Sequence, residues 1–235
     1  MLAPDAPIPG DRRFAIAHGS APLETGHPVW LKKAFFLQLM SNARLANLAA
    51  IWDDESQVLE LKRGGRTITR GQLTDQTGRT VIEQFFSAFL KADLRGGAPK
   101  LVDLGPKSFS DVEPEWISII GTASVADIER VVGKPVDPLR FRANVMVSGT
   151  QPWEEFSWVG KTISLGGALL QVEQRIGRCA ATNVDPATGQ RDMTIPRDLM
   201  RGFGHDCCGV YARVVQGGEI AVGDPVSVKD PAIAG

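Results

Sequence analysis

The sequence predicts a mainly β fold of the α+β class: a barrel-like antiparallel sheet with a few short helices, preceded by a smaller β lobe. Three observations point there. Short stretches of alternating apolar and polar residues recur along the chain, glycine pairs separate several of them, and only three segments show helical spacing or helix-start signals.

Residues 11–18, DRRFAIAH, alternate as a strand does, and Pro9-Gly10 marks the turn ahead of them. ARLANLAAIWDD and SQVLELKRGGRTITRG read as strands folded around Gly64-Gly65, with Val58, Leu59 and Leu61 supplying the apolar weight. Within 80–91, Val81, Phe85, Phe86, Phe89 and Leu90 fall at helical spacing, a stripe suited to a core. Residues 96–115 are rich in Gly and Pro and read as a connector or a long surface loop between two lobes. An apolar strand over 116–120 leads to a short helix over 125–132, capped by Ser124 with Asp127 three residues on and stopped by Gly133. Beyond Pro138 strands are expected at 143–148, 161–165 and 168–174, the last two joined by Gly166-Gly167. A helix begins near Thr194 with Pro196 in its first turn, and strands over 209–215 and 219–228, joined by Gly217-Gly218, follow. The division expected is a β lobe over 1–110 and a second domain over 111–235.

Composition narrows the function class. At 235 residues, 43% hydrophobic and 23% charged, the chain has the make-up of a globular protein with a substantial core. A net charge of -1 provides no field for nucleic acid or an anionic membrane surface, so neither is an expected partner. No stretch reaches the roughly 18 apolar residues that a spanning helix needs. The first residues, MLAPDAPIPGDRRF, lack the apolar run of a secretory signal, and a cytoplasmic protein is expected. Cys179 stands alone and Cys207 adjoins Cys208, an odd number that argues against a disulfide framework. Taken alone, Cys179 reads either as a buried small hydrophobe or as a metal-ligating thiolate. In GHDCCG (204–209) Cys208 is expected to be buried and Cys207 exposed, with too few ligands for structural zinc unless His205, Asp206 or a partner chain contributes. His18 and His27 are expected to face solvent.

Six blocks stand in one order: GDRRFAI (10–16), GTASVADIERVVG (121–133), RFRANVMVSG (140–149), WVGKTISLGGALLQV (158–172), GRCAATNVDPATGQRD (177–192) and GVYARVVQGGEIAVGDPV (209–226). The last four resemble the MOSC domain, and the first two resemble the N-terminal β-barrel domain and inter-domain region of that family's longer members, which include amidoxime-reducing proteins. The resemblance implies an antiparallel β-barrel, a molybdenum-pterin cofactor, and reduction of N-hydroxylated small molecules with electrons from a separate redox protein. It implies that Cys179 is both the metal ligand and the catalytic residue, within a motif where Asn183 replaces the family's threonine. Arg142 and Asn144 match an arginine and an asparagine that approach the cofactor, with Ala143 replacing a proline. Arg178, Thr182, Ser124 and Arg12 match further cofactor-binding positions.

Longer members begin with a strand and a lysine-bearing segment before the Gly-Asp-Arg block. Only nine residues precede Gly10 here, so a shortened N-terminal lobe is expected. MOSC domains also form the C-terminal part of cofactor sulfurases. That gives a second reading, with Cys179 as a persulfide carrier, and a third, a non-enzymatic cofactor-binding protein. No Schiff-base lysine motif is recognisable, so pyridoxal phosphate is not expected. Residue chemistry fits the ligand reading. A thiolate is a soft ligand, and a neighbouring arginine favours the ionised form. Arg142, Arg178 and Arg12 offer planar forks to phosphate and pterin, and Asn144 offers both a donor and an acceptor.

Overall fold

A computed structural model describes residues 1–23 and 29–229, and His27 lies outside them. The chain divides into two compact units. One comprises Met1–Asp11, Pro114–Asn183 and the chain from Asp192 onward; the other comprises Arg12–Glu113 and Val184–Arg191.

In the second of these, β1 (Phe14–Ala17), β2 (Ala49–Asp53), β3 (Val58–Arg63) and β4 (Arg66–Gln72) precede α1 (Gln76–Phe89) and β5 (Lys100–Asp103). β2, β3 and β4 form an antiparallel sheet whose second turn is the expected Gly64-Gly65. Asp75 caps α1 by accepting the Gly78 N–H at 3.0 Å, and Ile82 and Phe86 continue the buried face. Gly78 sits against the backbone of Gln72, and a Cβ on Gly71 would strike the Gly78 carbonyl, so helix and strand meet only because both lack side chains. The expected connector over 96–115 is corrected by β5, which pairs antiparallel with β1. Its four residues carry Leu101 and Val102 into the core, a signal hidden by the Gly and Pro around it. The solvent-facing expectation for His18 is also corrected. It is 5% exposed, its Nδ1 has no hydrogen-bond partner among the described residues, and burial, helped by Arg95, lowers its pKa.

The other unit carries β6 (Ile117–Gly121), α2 (Thr122–Val132), β7 (Val145–Val147), β8 (Thr162–Leu165) and β9 (Ala168–Gly177). They are followed by α3 (Ile195–Phe203), β10 (Cys207–Gln216) and β11 (Val226–Lys229). Its six strands run in the order β11-β8-β9-β10-β6-β7 and curl into a half-barrel, so the α+β class with a dominant antiparallel sheet is as predicted. Among the described strands of this sheet, β7 alone pairs parallel, with β6. The last predicted strand is shorter than expected. Ala221 and Asp224 close a turn before Pro225, and only Val226–Lys229 pairs, with β8 rather than β10.

Two apolar clusters lie in this unit. One gathers Ile117, Ile119, Trp158, Leu170, Val172, Val210 and Val214; the other gathers Ile120, Val125, Ile128, Phe141, Leu199 and Cys208 around α2 and α3. β10 contributes to both because its pairing with β9 shifts between Cys207 and Val210. Gly209, at φ 78, occupies that bulge, and a Cβ there would meet the Ile119 carbonyl oxygen at 2.5 Å. The bulge turns Cys208 toward one cluster and Val210 toward the other.

The helix over 125–132 exists but begins earlier, and the expected Ser124 cap is corrected. Gly121 is the N-cap, with no side chain to cap the turn, and Ser124 lies inside α2. Gly133, at φ 79, closes the helix as expected.

Candidate functional site

β9 ends at Gly177, paired with Cys207, and the Arg178 N–H continues the ladder by donating to the Asp206 carbonyl at 3.0 Å. Cys179 follows, half-buried and not in a disulfide. Its carbonyl accepts the Thr182 backbone N–H at 3.1 Å and the Thr182 hydroxyl at 2.9 Å, which starts a 3-10 turn over Ala180–Asn183. Thr182 is buried, so its hydroxyl is committed to that turn.

Two arginines brace the turn against a second 3-10 turn over Pro138–Phe141. Arg178 donates from Nε to the Cys208 carbonyl at 2.7 Å and from Nη1 to the Phe141 carbonyl at 3.1 Å. From the opposite direction Arg140, only 4% exposed, donates to the Thr182 carbonyl at 3.4 Å and pairs with Asp192 at 2.9 Å. Burial works to raise the Asp192 pKa, but hydrogen bonds from Arg140 and Lys134 outweigh it and hold the carboxylate below its ordinary value. One brace lands before Cys179 and one after it, so the backbone that presents the thiol is fixed on both sides. Each is a charge-assisted bond, stronger than a neutral one.

Arg142 emerges from this brace exposed and left-handed, at φ 50. Asn144 is held by its own unit. Its Oδ1 accepts the Ser118 N–H at 3.0 Å and the Ser118 hydroxyl at 2.8 Å, and its Nδ2 donates to Asp11 at 2.9 Å. Ser124 is fully buried, donating to Glu155 Oε2 at 2.8 Å and accepting the Trp153 N–H at 2.8 Å. The structure therefore brings together Arg178, Cys179, Thr182 and, through Phe141, Arg142. Arg12 belongs to the other unit, at φ 51, with its carbonyl accepting the Phe109 N–H at 2.9 Å.

Four residues outside the predicted site set stand out, two of them, Arg140 and Glu155, not named by the sequence reading. Arg140 stands two residues before Arg142 in RFRAN, and nothing in that spacing tells which guanidinium turns inward. Glu155, with 0% exposure, is the second of two adjacent glutamates between Trp153 and Trp158, and that apolar flank was its only signal. Asn183 accepts the Ile195 N–H at 2.8 Å and so caps α3 from a distance. His205 lies among aromatic rings. The adjacent cysteines behave nearly as expected: Cys208 is buried and its thiol is pushed up to about 12, mainly by burial. Cys207 is half-buried rather than exposed, and burial with Asp206 beside it raises its pKa.

Among the described residues, no group of three or more His, Cys, Asp or Glu side chains could hold a metal ion. The donor set around Cys179 is one soft thiol, which suits a metal that brings its other ligands with it and not a bare divalent ion. No helix among the described residues is long and apolar enough to cross a membrane.

A family model described as "MOSC domain" matches residues 107–227. Mitochondrial amidoxime reducing component 2 of Bos taurus is 27% identical over 170 residues, covering 61% of this chain and 49% of that protein. Mitochondrial amidoxime-reducing component 1 of Homo sapiens is 30% identical over 132 residues, covering 51% of this chain and 38% of that protein. The chain thus spans about half or less of the length of these curated relatives. Among solved structures, YiiM from Geobacillus stearothermophilus aligns at a TM-score of 0.39 and 23% identity, covering 50% of this chain and 56% of that one.

Proposed function

The chain belongs to the MOSC domain family, and from that premise we propose that it binds a molybdenum-pterin cofactor through Cys179 and reduces N-hydroxylated small molecules. The observation that carries the reading is the doubly braced cysteine: a half-buried thiol on a turn fixed by Arg178 before it and Arg140 after it. Such bracing fits a ligand that must hold one position through repeated turnover.

Each residue then has a role. Cys179 is the protein ligand to the metal. Exposed Arg142 offers its planar guanidinium to the phosphate or pterin edge. Arg178, Thr182, Asn144 and Ser124 act as positioning residues, because their polar atoms bind protein groups. Arg12 is assigned to the cofactor only by its place in the Gly-Asp-Arg block. When bound, the cofactor supplies the two-electron chemistry that the side chains cannot. The chain's own part is to fix the ligand and orient the group. A separate redox protein supplies the electrons.

The test is elemental and pterin analysis of the chain purified from a host that makes the cofactor. About one molybdenum per chain is expected in the wild type and none in Cys179→Ser. A wild-type protein free of molybdenum would sink the proposal. A persulfide mass on Cys179 without metal would replace it with the carrier reading.

A further inference from the structure

The proposed roles leave the buried His18 without a purpose. It follows β1 directly, at a turn: its backbone N–H donates to the Phe35 carbonyl at 2.8 Å, and its own carbonyl accepts the Ala21 N–H at 3.0 Å. Ala17 before it is fully buried, in a cluster with Phe36 and Val102. Residues 19–20 then press on 96–97. A Cβ on Gly19 would lie 2.5 Å from the Gly96 carbonyl oxygen, and one on Gly96 would strike the Ser20 side chain. Glycine at both places lets the two stretches of backbone meet next to His18 in the chain, and His18 itself is only 5% exposed.

This seat suits one protonation state. A neutral imidazole can carry its single hydrogen on Nε2 and leave Nδ1 bare. The cation must carry a second hydrogen on Nδ1, which is buried with no hydrogen-bond partner among the described residues. A charged N–H enclosed without an acceptor is the costliest kind of unsatisfied donor.

The surrounding charges act in the same direction. Arg95, one residue before Gly96, is the charged group whose field reaches the ring, and with burial it holds the pKa below its ordinary 6.5. Lys100 of β5 stands opposite Ala17 in the register and adds a second positive group. The carboxylates of the neighbouring elements are engaged already. Asp111 pairs with Lys33 of the 3-10 turn Lys33–Phe35 at 3.4 Å, and Asp103 of β5 pairs with Arg13 at 2.8 Å.

We propose that His18 is an acid-sensitive catch in the β lobe: neutral, it packs where residues 18–23 meet 95–97, and protonated it leaves that seat and frees both stretches. The catch depends neither on Cys179 nor on a cofactor. The seated ring binds a proton less readily than a solvated one. The closed form is therefore intact above pH 6.5 and gives way as pH falls below that value.

The test is hydrogen exchange on the full chain, read as protection factors from about pH 7.5 to about pH 5, with an NMR titration of the His18 ring alongside. Protection at 18–23 and 95–97 should fall in the wild type by up to about tenfold per pH unit below pH 6.5, the slope of one proton, while β9 and β10 keep theirs. His18→Leu fills the seat without a titrating group and should hold protection level across the range. Arg95→Gln removes the like charge, so its loss of protection should level off sooner on acidification. An equal loss in His18→Leu and in the wild type would overturn the proposal. So would a wild-type His18 ring that takes its proton at the ordinary value while protection at 18–23 and 95–97 holds. That second result needs only the wild type, so it decides even where His18→Leu fails to fold.

Discussion

Glu155 caps α2 from outside the helix, and replacing it should weaken that helix more than any loss of propensity could. The N-cap, Gly121, has no side chain, so the first-turn donors need an acceptor from elsewhere. Glu155 supplies it: Oε1 accepts the Gly121 N–H at 3.3 Å and Oε2 accepts the Ser124 hydroxyl at 2.8 Å. Gly121 leaves room for this, because a Cβ there would lie 2.9 Å from Oε2. The carboxyl group has 0% exposure and no ion pair within 4.0 Å among the described residues, so these bonds and the helix N-terminus are what hold it. In Glu155→Gln the amide keeps one acceptor but turns an NH2 toward the other donor, which should cost about 1–3 kcal/mol. Glu155→Ala leaves both donors facing a cavity and should cost about 3–5 kcal/mol. Urea unfolding gives the magnitude, and hydrogen exchange at the α2 amides gives the location. A cycle with Ser124→Ala should show coupling of about 1 kcal/mol. If Glu155→Gln stays within about 0.5 kcal/mol of wild type, or if exchange rises everywhere but α2, the capping argument is wrong.

Three further outcomes are expected. A Cys208 thiol at about 12 in the fold, against an ordinary 9.0, keeps a proton that the unfolded chain releases between those values. Stability should therefore be intact below pH 9 and fall as pH rises toward 12, by at most about 1.4 kcal/mol per unit; chemical unfolding of Cys208→Ala should show a flatter slope. Asn183→Ala removes the acceptor that meets the Ile195 N–H and should cost about 1 kcal/mol, with faster exchange confined to the start of α3. Gly78→Ala adds helix propensity but drives a methyl into the Gln72 backbone, so thermal melting should show a net loss of about 1–3 kcal/mol. A gain in stability would refute the close approach.

The strands flanking the site were legible because their alternation survives in the sequence. Leu170 and Val172 on β9, and Val210, Ala212 and Val214 on β10, are all buried at two-residue spacing. Gly133 marked the end of α2, and Gly64-Gly65 the turn between β3 and β4, because backbone at positive φ leaves glycine as the easiest choice. β5 was illegible because four residues among Gly and Pro carry too little periodicity, and its partner β1 lies far away in sequence.

The sequence by itself determined the family and the mainly β class, and it singled out Cys179 for the proposed ligand role, because collinear blocks and short-range patterns carry them. Tertiary structure decided which polar groups meet: Arg178 rather than Arg142 reaches the Phe141 carbonyl, Arg140 turns inward to Asp192, and Glu155 stands in for the cap that Ser124 was expected to supply. Those pairings join residues about thirty to fifty positions apart in the sequence. A buried polar group must find a partner wherever the fold has placed one, and one-dimensional spacing holds no record of that place.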